Sequence, residues 1–293
     1  MTPAHRPRPA LLWAGLLLAS VAVSAQTPAV DLDALLARVG GQLERHFQRA
    51  QRIVSTETVS VSSFDRAMRR RGRPRRLEYE QRVEWDAAGA DGVPSVRVIR
   101  ELLSVNGRPP GPDDANACLA PEAEGGDPRS VLLPARQVEF DFRLRDVEIV
   151  DGRPVARLSF TPLDAQPGEV EWDGDCAHIE LEGWYRGDAW VDVGSGDVLR
   201  LDERLTRPFE FREPIDRRGS SRRWSRLQRD DASTRYARIA FEDPDETLML
   251  PRSIERNWAI EGGGFIPRYF RTQRFSNYRR FVTGGRLVDA PGP

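Results

Sequence analysis

The stretch Trp184-Tyr185-Arg186-Gly187-Asp188-Ala189-Trp190-Val191-Asp192-Val193-Gly194-Ser195-Gly196-Asp197-Val198-Leu199-Arg200 reads as strands interrupted by turns. Gly and Asp at Arg186-Gly187-Asp188 and at Gly194-Ser195-Gly196 supply positive-φ positions for two tight turns. The Trp, Val and Leu residues around them are strand formers. The stretch predicts antiparallel hairpins.

Working outward, the same period of two recurs. In Tyr79-Glu80-Gln81-Arg82-Val83-Glu84-Trp85 the apolar residues fall on odd positions. Val138, Phe140, Phe142 and Leu144 alternate with Glu139, Asp141, Arg143 and Arg145. Val147 and Ile149 then fall out of phase, which predicts a bulge near Arg145 or Asp146. Further strands are expected over 53–62, 96–105, 155–160, 180–186, 189–193, 197–206, 235–242, 252–261 and 266–282. Strands follow one another with no helix between them, so parallel crossovers are excluded. One helix stands out. Leu32, Leu35, Leu36, Val39, Leu43, Phe47, Ala50 and Val54 make an apolar stripe at helical spacing, with Asp31 or Asp33 as cap. Gly40-Gly41 inside it weakens its intrinsic propensity. The fold class is α+β, mostly β: a curved antiparallel half-barrel of about ten or eleven strands with an N-terminal amphipathic helix packed on it.

Arg6 and Arg8, the apolar run from Ala10 to Ala22 and the small residues Val23-Ser24-Ala25 form a secretory signal, with cleavage expected after Ala25. The run is shorter than the roughly 20 residues that cross a bilayer, and no Cys follows it to carry a lipid. Residues 26–293 are therefore expected as a single periplasmic or secreted domain without a lipid anchor. The two cysteines, Cys118 and Cys176, are expected to pair in that oxidising compartment. Such a disulfide would stabilise the fold by roughly 4 kcal/mol.

The cysteines lie in long connections. Residues 106–134 contain Cys118, 163–178 contain Cys176, and 207–234 are polar and Arg-rich. A fourth connection, 65–76, carries Arg66, Arg69, Arg70, Arg71, Arg73, Arg75 and Arg76. All 44 basic residues are arginine, yet 45 acidic residues bring the net charge to -1, so no nucleic-acid partner is indicated. The run Arg69, Arg70, Arg71, Arg73, Arg75 and Arg76 suits an anionic headgroup or an acidic partner; the alternative is a solvated hairpin loop. Glu169, Glu171, Asp173 and Asp175 lack the ordered spacing of a calcium loop. No metal and no cofactor is expected.

The stripe residues, the long meander and Trp190-Val191-Asp192 … Gly196-Asp197-Val198-Leu199-Arg200 together resemble the lipoprotein-localisation-factor (LolA/LolB-like) superfamily. Asp151-Gly152-Arg153-Pro154-Val155, Leu250-Pro251-Arg252 and Tyr278-Arg279-Arg280-Phe281 are similar to elements of secreted bacterial proteins on that plan. The resemblance implies an incomplete, strongly curved barrel whose open side is closed by helices and whose apolar concavity accepts acyl chains. This chain departs from it in having one clear helix and long insertions.

The concave face would be lined by Tyr79, Trp85, Phe140, Phe142, Phe160, Trp184, Trp190 and Trp258, which all lie on strand patterns. The alternative is that they fill a core between sheet and helix. Enzyme signatures are missing: there is no G-x-S-x-G, H-E-x-x-H, C-x-x-C or P-loop, and Cys176 with His178 lacks a third orienting group. The sequence thus predicts an exported, non-catalytic binding protein for a lipid, lipoprotein acyl chain or other hydrophobic envelope ligand. The alternative is an envelope interaction or sensor module with a filled core, acting through its Arg-rich loops. Peripheral membrane contact fits either reading.

Overall fold

The computed structural model describes residues 30–65, 67, 69–86, 89, 92–115, 127–173, 176–213, 224–262, 268–282 and 286–289. The expected signal segment and Cys118 lie outside these residues, and of Cys176 only the backbone is described. The expected disulfide therefore falls outside them too. Among the described residues no helix is long and apolar enough to cross a membrane.

Helix α1 (Leu32–Arg49) comes first, then strands β1 (Arg52–Phe64), β2 (Arg70–Trp85) and β3 (Val96–Val105). Two 3-10 turns, Pro112–Ala115 and Pro128–Leu132, and a single-turn helix α2 (Pro134–Gln137) lead into β4 (Phe140–Val150) and β5 (Arg153–Pro162). A small hairpin, β6 (Glu169–Asp173) and β7 (Cys176–Glu180), precedes β8 (Tyr185–Asp192), β9 (Val198–Leu205) and β10 (Phe209–Arg212). The chain closes with β11 (Trp224–Glu242), β12 (Asp245–Gly262), β13 (Arg268–Val282) and β14 (Arg286–Asp289). Ten strands lie in the order β3-β2-β1-β13-β12-β11-β9-β8-β5-β4; β10 pairs with β11 and β14 with β13 outside that line. Every pairing is antiparallel and the sheet does not close on itself.

Helix α1 starts where Asp31 accepts the Ala34 amide at 2.9 Å. It buries Leu35, Val39, Leu43 and Phe47 against Ala156, Leu158, Phe160, Ala189, Val191, Val198 and Leu201 of β5, β8 and β9. At about 2 kcal/mol for each buried side chain, this packing outweighs the two helix glycines. Gly40 has its own reason: a Cβ there would sit 2.8 Å from Pro134 Cγ, so the glycine lets α2 approach the helix.

The bulge expected near Arg145 is present, as a register shift between Leu144 and Asp146 where β4 meets β5. Of the two expected turns in the opening stretch, one forms. At Gly194-Ser195-Gly196, the Asp192 carboxylate accepts the Gly194 and Ser195 amides, both at 2.9 Å. The other is corrected. Arg186-Gly187-Asp188 is not a turn but the middle of the continuous strand β8, where Gly187 pairs with both Phe160 and Glu203. A Cβ on Gly187 would lie 2.0 Å from the Asp202 carbonyl and 2.4 Å from the Phe160 ring. The glycine serves close strand packing, not a reversal.

The expected connections also need correction. Residues 163–178 contain most of the β6–β7 hairpin, and 207–234 contain β10 and the first half of β11. The arginine run is largely strand, because Arg70, Arg71, Arg75 and Arg76 pair with Phe64, Ser63, Val61 and Ser60. Val138 precedes β4 and is 78% exposed.

Candidate functional site

Buried polar residues form three knots. Asp127 caps the 3-10 turn that Pro128 begins, and its carboxylate takes the Arg129 guanidinium at 2.6 Å. Arg129 also donates to the Met249 carbonyl at 3.0 Å, meets His46 Nε2 at 3.0 Å and lies 4.3 Å over the Tyr236 ring. Since Arg only donates, His46 Nε2 is the acceptor and its proton sits on Nδ1. Burial, and then the Arg129 charge, lower His46 from 6.5 to about 3. Burial opposes the Asp127 charge, but the Arg129 charge and hydrogen bonds prevail and hold Asp127 below its ordinary value.

The second knot is Glu57, fully buried on β1. It receives Arg100 Nε and Gln273 Nε2, each at 2.7 Å. The third is Asp230 on β11, gripped by Arg256 at 2.6 and 2.7 Å and by the Tyr185 hydroxyl at 2.7 Å. Burial, then the Asp230 charge, push the Tyr185 hydroxyl far above its ordinary value. All three carboxylates are thus satisfied by arginine, which prevents an uncompensated buried charge.

Between the first two knots lies a cleft of about 90 Å³. Its walls are Ile53 and Ser55 of β1, Gln81, Val83 and Trp85 of β2, Val96, Val98 and Arg100 of β3, and Thr234, Tyr236, Leu250 and Ile254 across from them. Ser55 and Gln81 bond each other at 3.3 Å. Trp85 Nε1 is shielded from solvent and makes no hydrogen bond. The Tyr236 hydroxyl faces Asp127: burial, then the Asp127 charge and a hydrogen bond to it, keep the phenol protonated by raising it well above its ordinary value. The cleft therefore holds one unmatched indole N–H within a largely apolar wall.

Two larger hollows are lined by charged side chains. One of about 220 Å³ beside α1 is lined by Gln42, His46, Arg49, Arg129, Asp197 and Arg238. The other, of about 250 Å³, is lined by Asp202, Glu203, Arg204, Asp231, Glu255 and Phe270. No cluster of His, Cys, Asp and Glu with metal-binding geometry occurs among the described residues.

The eight aromatics expected to line one groove are dispersed. Phe140, Phe142 and Phe160 pack on one another, with centroids about 6 Å apart, in the core under α1. Trp184 packs edge-on to Phe209 in a second core that Trp258 borders while stacking on Tyr269. Tyr79 belongs to a third core with Val59, Val61, Leu77 and Val105. Trp190 is held between the guanidinium groups of Arg157 and Arg200 at 5.3 and 4.5 Å. Only Trp85 reaches the cleft, between His46 and Phe47 of α1 and the β3 wall. Of the arginines, Arg75 pairs with Asp114 and Arg69 with Asp65, while Arg70, Arg71, Arg73 and Arg76 are exposed.

No family model and no curated protein matches the chain. Among solved structures it is similar to a DUF1329 family protein from Desulfovibrio piger, at 13% identity and a TM-score of 0.37. A LolA superfamily protein from Nitrosomonas europaea gives 11% and 0.31. A domain assigned to outer membrane lipoprotein sorting from Vibrio parahaemolyticus gives 11% and 0.36. Each alignment covers 87% of this chain and 95% of the other. Likeness at this level carries no functional argument.

Proposed function

We propose that this chain is a non-catalytic envelope binding module whose cleft receives a hydrogen-bonding group of a protein partner, such as a peptide amide. The carrying observation is the cleft: about 90 Å³, with the Trp85 N–H unmatched in its wall. A pocket that engulfs a drug-sized or lipid-sized ligand needs several hundred Å³, and an acyl chain would leave that N–H unpaired at about 1–3 kcal/mol. A peptide carbonyl satisfies it. Strand β3, which supplies one wall, is also the last strand of the sheet. Its outward residues Ile99 and Leu103 are 46% and 45% exposed, which suits an extended segment laid along that edge. The reading is non-catalytic because Glu57, Asp127 and Asp230 are each neutralised by arginine instead of converging on a reacting centre.

Native mass spectrometry of protein exported to a periplasm, followed by organic extraction, tests this reading. The expected result is a mass without bound lipid and no uptake of added fatty acid. A stoichiometric phospholipid or acylated species would restore the acyl-carrier reading.

A further inference from the structure

The β1–β2 hairpin ends at one rim of the sheet. Phe64 pairs with both Arg70 and Arg268, Ala259 with Arg268, Gly262 with Ser225, and Trp224 with Arg212. The hairpin tip, the start of β13, the end of β12 and the start of β11 therefore share that rim. From β1 to β11 is three strand spacings, or about 14 Å.

Charge at this rim is unbalanced. Its described carboxylates are already engaged: Asp65 by Arg69, Asp114 by Arg75 and Arg108, Glu210 by Arg226, Glu261 by Arg268, and Glu213 by the Ser225 hydroxyl. Arg70, Arg71, Arg73 and Arg76 are exposed and have no carboxylate partner among the described residues. Other exposed arginines without a carboxylate partner among the described residues, such as Arg97, Arg186, Arg235, Arg252 and Arg274, lie on five different strands, whereas these four sit together on one hairpin. The ladder is also interrupted there, with a register shift opposite Ser62 where Gly72 and Pro74 fall. Beyond β3 this part of β2 is an edge, where Pro and a bulge are tolerated. On the same rim Trp224 is 58% exposed, with the Arg212 guanidinium 4.6 Å over its ring.

We propose that this rim docks on an anionic phospholipid surface, with Arg70, Arg71, Arg73 and Arg76 meeting phosphate headgroups and Trp224 seated at the interface. Clustered arginines are drawn to an anionic leaflet within a Debye length, and guanidinium forks match phosphate oxygens. Trp is the aromatic that settles at headgroup level. The rim is separate from the cleft, so this proposal stands whether or not the cleft takes a peptide.

Vesicle co-sedimentation of the full mature chain tests it, with phosphatidylcholine vesicles that contain or lack phosphatidylglycerol. Binding is expected only to the anionic vesicles, lost at high salt and not displaced by inorganic phosphate. Replacing the four arginines by Gln should weaken it by at least about tenfold, replacing them by Lys should restore much of it, and Trp224→Ala should weaken it less. Unchanged thermal unfolding of these surface variants confirms that they fold. Lack of binding at low salt, or binding indifferent to the Gln variant, overturns the proposal. So does displacement by inorganic phosphate, or binding of polyglutamate in place of vesicles.

Discussion

The sheet beneath α1 and the sheet beyond β12 bury their inner faces differently. Under α1, Leu, Val and Phe from four strands interlock with the helix stripe, and one polar knot, Asp127–Arg129–His46, pins the helix to β12. Beyond β12, the face across β1, β2, β3 and β13 has no helix among the described residues. It mixes the small core around Val59 and Leu77 with Glu57, Arg100, Gln273, Ser55 and Gln81. The cleft sits at the seam. An apolar half provides rigidity, whereas a polar half provides a place where hydrogen-bonding groups can remain unmatched until a partner supplies them.

The largest effect that would break this comparison is expected at Arg129. Arg129→Met leaves Asp127 buried without its counter-charge and should destabilise the protein by about 3–5 kcal/mol in urea unfolding. The double variant Asp127→Asn/Arg129→Met should recover part of that loss. A small effect of the single variant would show that the helix is held by its apolar stripe alone. Gly187→Ala comes next. It drives a methyl group into Asp202 and Phe160 and should cost about 1–3 kcal/mol, with no matching loss for Gly41→Ala on the helix.

Acid should act on the α1 half first. The folded His46 titrates at about 3, well below its ordinary 6.5, so the fold favours the neutral ring. Its stabilising contribution is complete above about pH 6.5 and is lost as pH falls toward 3, by on the order of 4 kcal/mol at full effect. Asp127, held below 3.8, adds a further loss as pH drops through its folded value. Urea midpoints measured from pH 7 to pH 3 should fall in the parent and fall less in His46→Gln.

The fold was largely legible because period and phase are local properties. The helix stripe, the succession of hairpins and even the Leu144–Asp146 bulge follow from which residues alternate. Arg186-Gly187-Asp188 misleads because a glycine chosen for close packing has the same letter as one chosen for a turn. Only the neighbouring Phe160 and Asp202, distant in sequence, tell them apart. The site was less legible. Eight strand aromatics suggested one groove, but which core each joins depends on strand order, and that set Tyr79, Trp184 and Trp190 apart. The knots did leave a trace. Glu57 lies in phase with Ile53, Val59 and Val61, and Arg100 with Val98 and Leu102, so charges on an inward-facing period marked them. Asp127 before Pro128 has the form of a helix start. The contact of the neighbouring Arg129 with His46, 83 positions earlier in the chain, has no local signature.

The smallest stability effect should come from the cleft. Tyr236→Phe keeps the ring and removes only the hydroxyl that faces Asp127, so its unfolding free energy should fall by no more than about 1 kcal/mol. A loss of several kcal/mol would mean that this hydroxyl holds the Asp127–Arg129 knot together.

The most direct test of the cleft follows the indole N–H resonance of Trp85 by ¹⁵N NMR, assigned through Trp85→Phe. N-acetyl amino-acid amides and laurate are titrated separately. The account predicts a saturable shift of that resonance with the amides and none with laurate. A saturable shift with laurate and none with the amides would contradict it.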